Sequence, residues 1–251
     1  MVKTLRTKLQ EVTIRGYKSI SFGNSVTLKL GDVNILLGAN GAGKSNIISF
    51  FQMLSYMMSK AFGKYVEISG TSSALLYYGP KRTPVMSGEL KFADKKSVDT
   101  YSFDLTNARP DRLIITEERI VWHREGEEKP YEVALEPNFK ESALVESGDL
   151  VAKTICQMLS SCKVYQFHDS SAEGPLRQVC PVETSNYLQS HGNNLPSFLL
   201  FLRENYKNSY NRIVEYVHDV IPQFQDFYLE PASGFVSLRW MDNSASDYRF
   251  N

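Results

Sequence analysis

Gly38-Ala39-Asn40-Gly41-Ala42-Gly43-Lys44-Ser45 matches the phosphate-loop pattern G-x-x-x-x-G-K-[S/T] at every required position. Its flanks supply the context that the pattern needs. Before it, Val33-Asn34-Ile35-Leu36-Leu37 reads as a short strand buried on both faces; after it, Asn46-Ile47-Ile48-Ser49-Phe50-Phe51 opens a helix. The residue types follow from the chemistry. Glycines let the backbone turn tightly and bring successive N–H groups against phosphate with no Cβ in the way. A helix starting near Gly43 adds unpaired N–H groups and the positive end of its dipole. Lys44 supplies a mobile cation for the β- and γ-phosphates, and the Ser45 hydroxyl is a hard oxygen of the kind Mg²⁺ takes alongside substrate phosphates. The sequence thus predicts that the chain binds a nucleoside triphosphate, ATP, together with Mg²⁺.

Working outward, residues 10–17 alternate in the manner of a strand, with Val12 and Ile14 against Glu11, Thr13 and Arg15. Residues 25–30 alternate again through Val26, Leu28 and Leu30, and Gly23-Asn24 joins the two as a hairpin turn. The helix after Ser45 is expected to end near Gly63, followed by a loop over 69–84. Strand-like runs then fall at 88–92, 100–105, 112–115, 118–123 and 131–135, read as an antiparallel sheet (85–136) inserted after the first helix. A mainly helical region spans 149–221. In it, Asp149 caps a helix to 161, a short strand covers 164–167, and a long periodic stretch over 195–220 has a break near Asn208-Ser209. Runs at 224–229 and 235–240 form a terminal hairpin within 224–251. The fold class expected is α/β, a P-loop lobe carrying an antiparallel subdomain and a helical segment.

At 251 residues the chain can bury a substantial core in one or two domains. Its 28 basic and 28 acidic residues balance to a formal net charge of +0, so total charge gives no argument for nucleic-acid or membrane binding. No apolar run is long enough to cross a membrane, and the polar, basic start has no apolar signal region, which leads to a cytoplasmic expectation. Cys156, Cys162 and Cys180 fit no zinc or thioredoxin spacing and read as free thiols.

The opening order resembles the ABC-type ATPases of the SMC/RecF class. It runs from Ile14-Arg15-Gly16-Tyr17-Lys18-Ser19-Ile20, through a second short strand, to the phosphate loop flanked by Asn40 and Asn46, asparagines typical of that class. It is similar in particular to the RecF-like AAA-family ATPases of bacteria. Further matching stretches are Leu75-Leu76-Tyr77-Tyr78-Gly79-Pro80-Lys81-Arg82-Thr83, Tyr165-Gln166-Phe167-His168-Asp169-Ser170-Ser171, and residues 187–199. The resemblance covers essentially the whole chain. It implies an ABC-type fold in which two subunits sandwich two ATP molecules as a homodimer and hydrolyse them, in DNA repair, genome maintenance or phage defence. DNA or an effector nuclease is the implied partner. By the same resemblance Arg15 and Lys18 approach the nucleotide, Asn46 belongs to the loop set, and Gln166 or His168-Asp169 plays the part of the loop that reaches Mg²⁺ and water.

One departure is large. No Ser-Gly-Gly-like signature follows the phosphate loop, and no apolar strand ending Asp-Glu follows it; Glu117-Glu118 lies within the inserted sheet. The chain therefore reads as an N-terminal lobe without its Walker B half. Hydrolysis needs carboxylates for Mg²⁺ and for the attacking water, so no catalytic residue is assigned. The alternative is a non-catalytic, nucleotide-dependent interaction module. A P-loop kinase or small GTPase fits less well, because the antiparallel insertion breaks the helix–strand alternation and no Asn-Lys-x-Asp motif is present. His123, His191 and His218 are given no role, and Lys81-Arg82 reads as a solvated loop.

Overall fold

Period-two burial organises the first part of the chain. β1 (Lys8–Arg15) and β2 (Val26–Lys29) pair antiparallel, with Thr13 Oγ1 and Thr27 Oγ1 hydrogen bonded across them at 3.0 Å. The computed structural model describes residues 7–94, 96–136, 139–167, 169, 171 and 173–250, with the backbone alone for 245–249. The chain divides into two compact units, one up to Lys163 and one from Val164 onward.

In the first unit, α1 (Lys44–Met58), α2 (Phe62–Ile68) and α3 (Thr71–Leu75) follow the hairpin. Three long strands come next, β3 (Val85–Ala93), β4 (Ser97–Ala108) and β5 (Arg112–Arg124), then the short β6 (Tyr131–Leu135) and α4 (Leu150–Ser161). The strands join one antiparallel sheet in the order β2-β1-β3-β4-β5-β6. Its apolar face carries Val12, Ile14, Leu90, Phe92, Phe103 and Ile120, and the helices cover that face with Phe50, Met53, Met57, Phe62 and Ile155. At the centre the Phe50 and Phe103 rings stack with centroids 6.2 Å apart at 16°. Gly88 sits opposite Phe103 in the ladder, and a Cβ there would lie 2.3 Å from the ring, so the glycine makes the room.

Side-chain hydrogen bonds tie in several buried polar groups. Glu118, 2% exposed, accepts from Ser142 Oγ at 2.6 Å, from the Ala143 N–H at 2.6 Å and from the Tyr101 hydroxyl. Three donors satisfy this carboxylate and fasten β5 to the segment ahead of α4. Burial, and Glu118 beside it, push the Tyr101 phenol well above its ordinary value. Asp149 caps α4 through the Val151 and Ala152 N–H groups, as its sequence predicts. Asp111 accepts from Thr71, Ser72 and Ser73 and holds the start of α3 against the β4–β5 turn.

The second unit contains β7 (Cys180–Pro181), α5 (Leu195–Asn205), α6 (Lys207–Val220), β8 (Phe224–Tyr228), β9 (Phe235–Val236), β10 (Arg239–Asp242) and β11 (Ala245–Phe250). β11-β10-β8 form one antiparallel sheet and β7-β9 a second. Cys180, Leu199, Leu200, Tyr210, Leu229 and Val236 make its core. Asn194, 2% exposed, donates to the Tyr187 carbonyl at 2.7 Å and to the Thr184 carbonyl, and accepts from the Gln189 N–H at 2.8 Å. One buried amide thus shapes the whole 184–194 loop.

Several expectations change. The run 33–37 is not a buried strand: Val33 is 83% exposed and Leu37 88%, and no backbone hydrogen bond joins 33–37 to another strand among the described residues. β2 is the last strand on that side of the sheet, and the run does not pair with its free edge. The strands over 85–136 are not a separate insert but continue β1 and β2 through the β1–β3 pairing. The expected pair 112–115 and 118–123 is one strand, β5, carrying a register shift between Asp104 and Leu105 of its partner. α1 stops at Met58, and the expected 69–84 loop contains α3. Residues 164–167 form no strand. The long helix breaks at Tyr206 rather than at Asn208-Ser209. The expected terminal hairpin is split, since β8 pairs with β10 while β9 pairs with β7.

Two outcomes test this arrangement. Replacing Val33 and Leu37 together by Ser should change the unfolding free energy by no more than about 0.5 kcal/mol, whereas Phe50→Ala should cost about 3–5 kcal/mol in denaturant titrations. A large loss from the first pair would mean that the run is buried. Asp99, 6% exposed on β4, has an Oδ1 with no partner among the described residues, and burial, with Asp94 nearby, lifts its carboxyl to about 6 from 3.8. A carboxyl raised in the folded state favours folding below its unfolded value, and that contribution is lost as pH rises through the folded value. Asp99→Asn should therefore stabilise the protein by roughly 1–2 kcal/mol at pH 7 and flatten the stability profile between about pH 4 and 6, measured by denaturation at a series of pH values.

Candidate phosphate-binding site

The phosphate loop hangs from two fixed points. One is the end of β1, where Gly16 (φ +71°) turns the chain so closely that a Cβ would lie 2.6 Å from the Val85 carbonyl oxygen. The turn sends the Tyr17 side chain into the core. There its hydroxyl is hydrogen bonded to Ser49 Oγ at 3.0 Å and to the Tyr65 hydroxyl at 2.9 Å, and burial pushes the phenol up. Lys18 donates to Ser49 Oγ at 3.0 Å, and Asn46 Nδ2 donates to Ser19 Oγ at 2.6 Å. Residues 17–19 are thus stapled to the first turns of α1. The second fixed point is α1 itself, whose inner face is locked by Phe50, Met53 and Met57.

Between these points the loop adopts the conformation its glycines permit. Gly41 (φ +83°) and Gly43 (φ +91°) both lie in the left-handed region. The Ala42 N–H donates to the Ala39 carbonyl at 3.2 Å, and α1 begins at Lys44. The Lys44 ammonium reaches back across the loop and donates to the Gly38 carbonyl at 2.5 Å and the Ala39 carbonyl at 2.8 Å. Ser45 is exposed on the first turn. Gly38, Ala39, Asn40, Gly41 and Ala42 are exposed as well, so the loop faces solvent. The donor set fits a Mg²⁺-bound triphosphate: an ammonium at the mouth, a hydroxyl at the helix start and the N–H groups of the first turn.

The other residues expected at the site have contacts of their own. Arg15 closes β1 opposite Ser87 in the β3 ladder. The Lys18 ammonium lies on Ser49 rather than on the loop, and burial lowers its pKa. Gln166 and Asp169 belong to the second unit. The Gln166 N–H donates to the Ser190 carbonyl at 2.7 Å, and Asp169 accepts from the Ser171 hydroxyl at 2.6 Å. His168 lies outside the described residues. Glu118 is committed to the core, and among the described residues no group of three His, Cys, Asp or Glu side chains is placed to hold a metal.

Sequence reasoning missed the bracing. Ser19, Ser49 and Tyr65 carry no motif, and their role follows only from the contacts that the segment after β1 makes with α1 and α2. Tyr77 carries no role in the sequence reading, although the Tyr77 N–H donates to the Gly16 carbonyl at 3.0 Å and the residue lines a cleft beside the loop. No known protein-family model matches the chain, and no curated protein matches it.

Proposed function

We propose that the chain binds ATP with Mg²⁺ through Gly38–Ser45, as the nucleotide lobe of an ATPase resembling the SMC/RecF class. The observation that carries this reading is the loop itself: a complete phosphate-loop sequence, with two left-handed glycines and the Lys44 ammonium across its mouth, opening a helix braced by β1. In use, the Lys44 ammonium exchanges its two carbonyl partners for phosphate oxygens, and the backbone N–H groups near Gly43 donate to the same phosphates. The Ser45 hydroxyl would take one position on Mg²⁺, which neutralises phosphate charge when bound. Dimerisation around ATP, hydrolysis, and work on DNA or with an effector nuclease extend the proposal and rest on the resemblance. Among the described residues no helix is long and apolar enough to cross a membrane.

A second reading has its own support. The apolar run from Val33 to Leu37 lies exposed immediately before the loop. That placement suits a module in which nucleotide controls association with another chain, without turnover.

Calorimetry with ATP, with and without Mg²⁺, on the whole chain and on Lys44→Ala, separates these readings when released phosphate is assayed in the same samples. Binding that Lys44→Ala weakens at least tenfold supports the nucleotide site. Phosphate release that requires Lys44 overturns the association module, whereas binding without release is what a nucleotide lobe lacking its Walker B carboxylates gives. No binding by the unaltered chain overturns the proposal.

A further inference from the structure

α6 commits little of its surface to the second unit. Of its 14 residues only Tyr210 is buried, while Ile213 and Val214 reach the core in part. The remaining apolar side chains follow the helical period along another face. Ile213, Tyr216, Val217 and Val220 are spaced three and four apart, and with Ile221 they line an apolar groove of about 330 Å³. Every residue of that groove belongs to α6 or follows it directly, so no other element among the described residues lines it. Val220 stands 80% exposed and Tyr216 61%. Single exposed apolar residues are ordinary, but a stripe along two turns of one helix is a surface suited to a partner.

The charges beside the stripe indicate which partner. Arg212 and Asp219 are exposed, one position ahead of Ile213 and of Val220, so both flank the stripe on the same side, two turns apart. The Arg212 guanidinium donates to the Tyr216 hydroxyl at 3.5 Å and so leans toward the stripe. The other flank is occupied by the unit itself, where His218 Nδ1 meets the Phe224 carbonyl at 2.8 Å. Two opposite charges at this spacing are self-complementary about a two-fold axis. Laid antiparallel across Tyr216 and Val217, a second α6 brings its Val220 to Ile213 and its Asp219 to Arg212, and the axis repeats both contacts. A parallel copy brings neither charge to an opposite one. Flanking charges of this kind set the orientation of a helix pair, and the apolar seam supplies its strength.

We infer that α6 joins two copies of this chain, packed antiparallel about a two-fold axis near Tyr216 and Val217, with Arg212 of each copy paired to Asp219 of the other. The contact uses no residue of the phosphate loop, so it forms without nucleotide and stands or falls independently of the proposed ATP site. One helix of about four turns on each side makes an interface at the small end of specific ones. The dimer is therefore weak, with a dissociation constant on the order of 10–100 µM.

Sedimentation equilibrium of the whole chain without nucleotide, between about 5 and 500 µM, is the test. The chain should pass from monomer to dimer over that range, with or without added Mg²⁺ and ATP. Val220→Asp and Tyr216→Ala, both at exposed positions, should each raise the dissociation constant about tenfold or more while the circular dichroism spectrum stays unchanged. Arg212→Asp and Asp219→Arg each turn two attractions into two repulsions and should weaken the dimer on the order of tenfold. An equimolar mixture of those two variants should associate at least as well as the unaltered chain, because each copy then offers the charge that the other needs. A chain that stays monomeric throughout overturns the inference, as does a dimer that requires ATP. A dimer unaffected by Val220→Asp and by Tyr216→Ala overturns the stripe as its interface. A mixture that associates no better than its components overturns the antiparallel pairing.

Discussion

The close approach of Gly16 to β3 governs the first unit. The chain must leave β1 at that point with a backbone turn that packs against the Val85 carbonyl, and only a residue without a Cβ fits. Everything near the loop follows from the direction of that exit. It buries Tyr17 between Ser49 and Tyr65, sets Lys18 and Ser19 on α1, and leaves the Gly16 carbonyl facing Tyr77. A hydrogen-bonded knot of three hydroxyls then fixes the start of α1 relative to the sheet. The loop needs that rigidity. Backbone N–H groups bind phosphate well only when their directions are set beforehand, and the loop's own glycines supply no stiffness.

The run Val33–Leu37 shows how a strand depends on its neighbours. Its composition is that of a strand buried on both faces, yet its side chains are exposed and its backbone makes no ladder. Composition reports what environment a segment is suited to; pairing decides whether that environment exists. β2 stands at the edge on this side, and the 500 Å³ groove between β2, this run and α1 is lined by Leu28, Leu36, Ile48 and Phe51. Apolar walls around an open groove are uncommon on a settled surface.

Legibility in the sequence tracked locality. Elements specified by their own residues were readable: the β1–β2 hairpin from alternation, α4 from Asp149 and the run after it, and the loop from eight consecutive positions. What depended on contacts distant along the chain was not. The continuity of β3 with β1 is a pairing between residues some seventy-five positions apart, and nothing in either strand announces it. β5 read as two strands because a register irregularity interrupts its period near Thr116. Some stretches that carried the family resemblance have structural duties as well. Asn194 satisfies three backbone groups in the 184–194 loop, and Gly79 (φ +77°) accepts from the Thr83 N–H at 3.0 Å in a tight turn. Of the candidate site, the eight residues of the loop and the helix after them were legible, while the bracing was not, since a serine or tyrosine acquires such a role only through what it touches.

The Gly88–Phe103 contact has a consequence for how this core can diverge. The ring fills the space of the missing side chain, and it also stacks on Phe50, which ties the sheet to α1. The three positions therefore share one volume. Any side chain at 88 demands a smaller one at 103, which in turn removes the ring stacked on Phe50, so no single step preserves the packing. Change in this layer has to arrive as a coordinated exchange, and the path between two well-packed versions crosses a less stable intermediate. The middle of the sheet is thereby held to its present residues by the geometry of its neighbours, whatever ligand the loop serves.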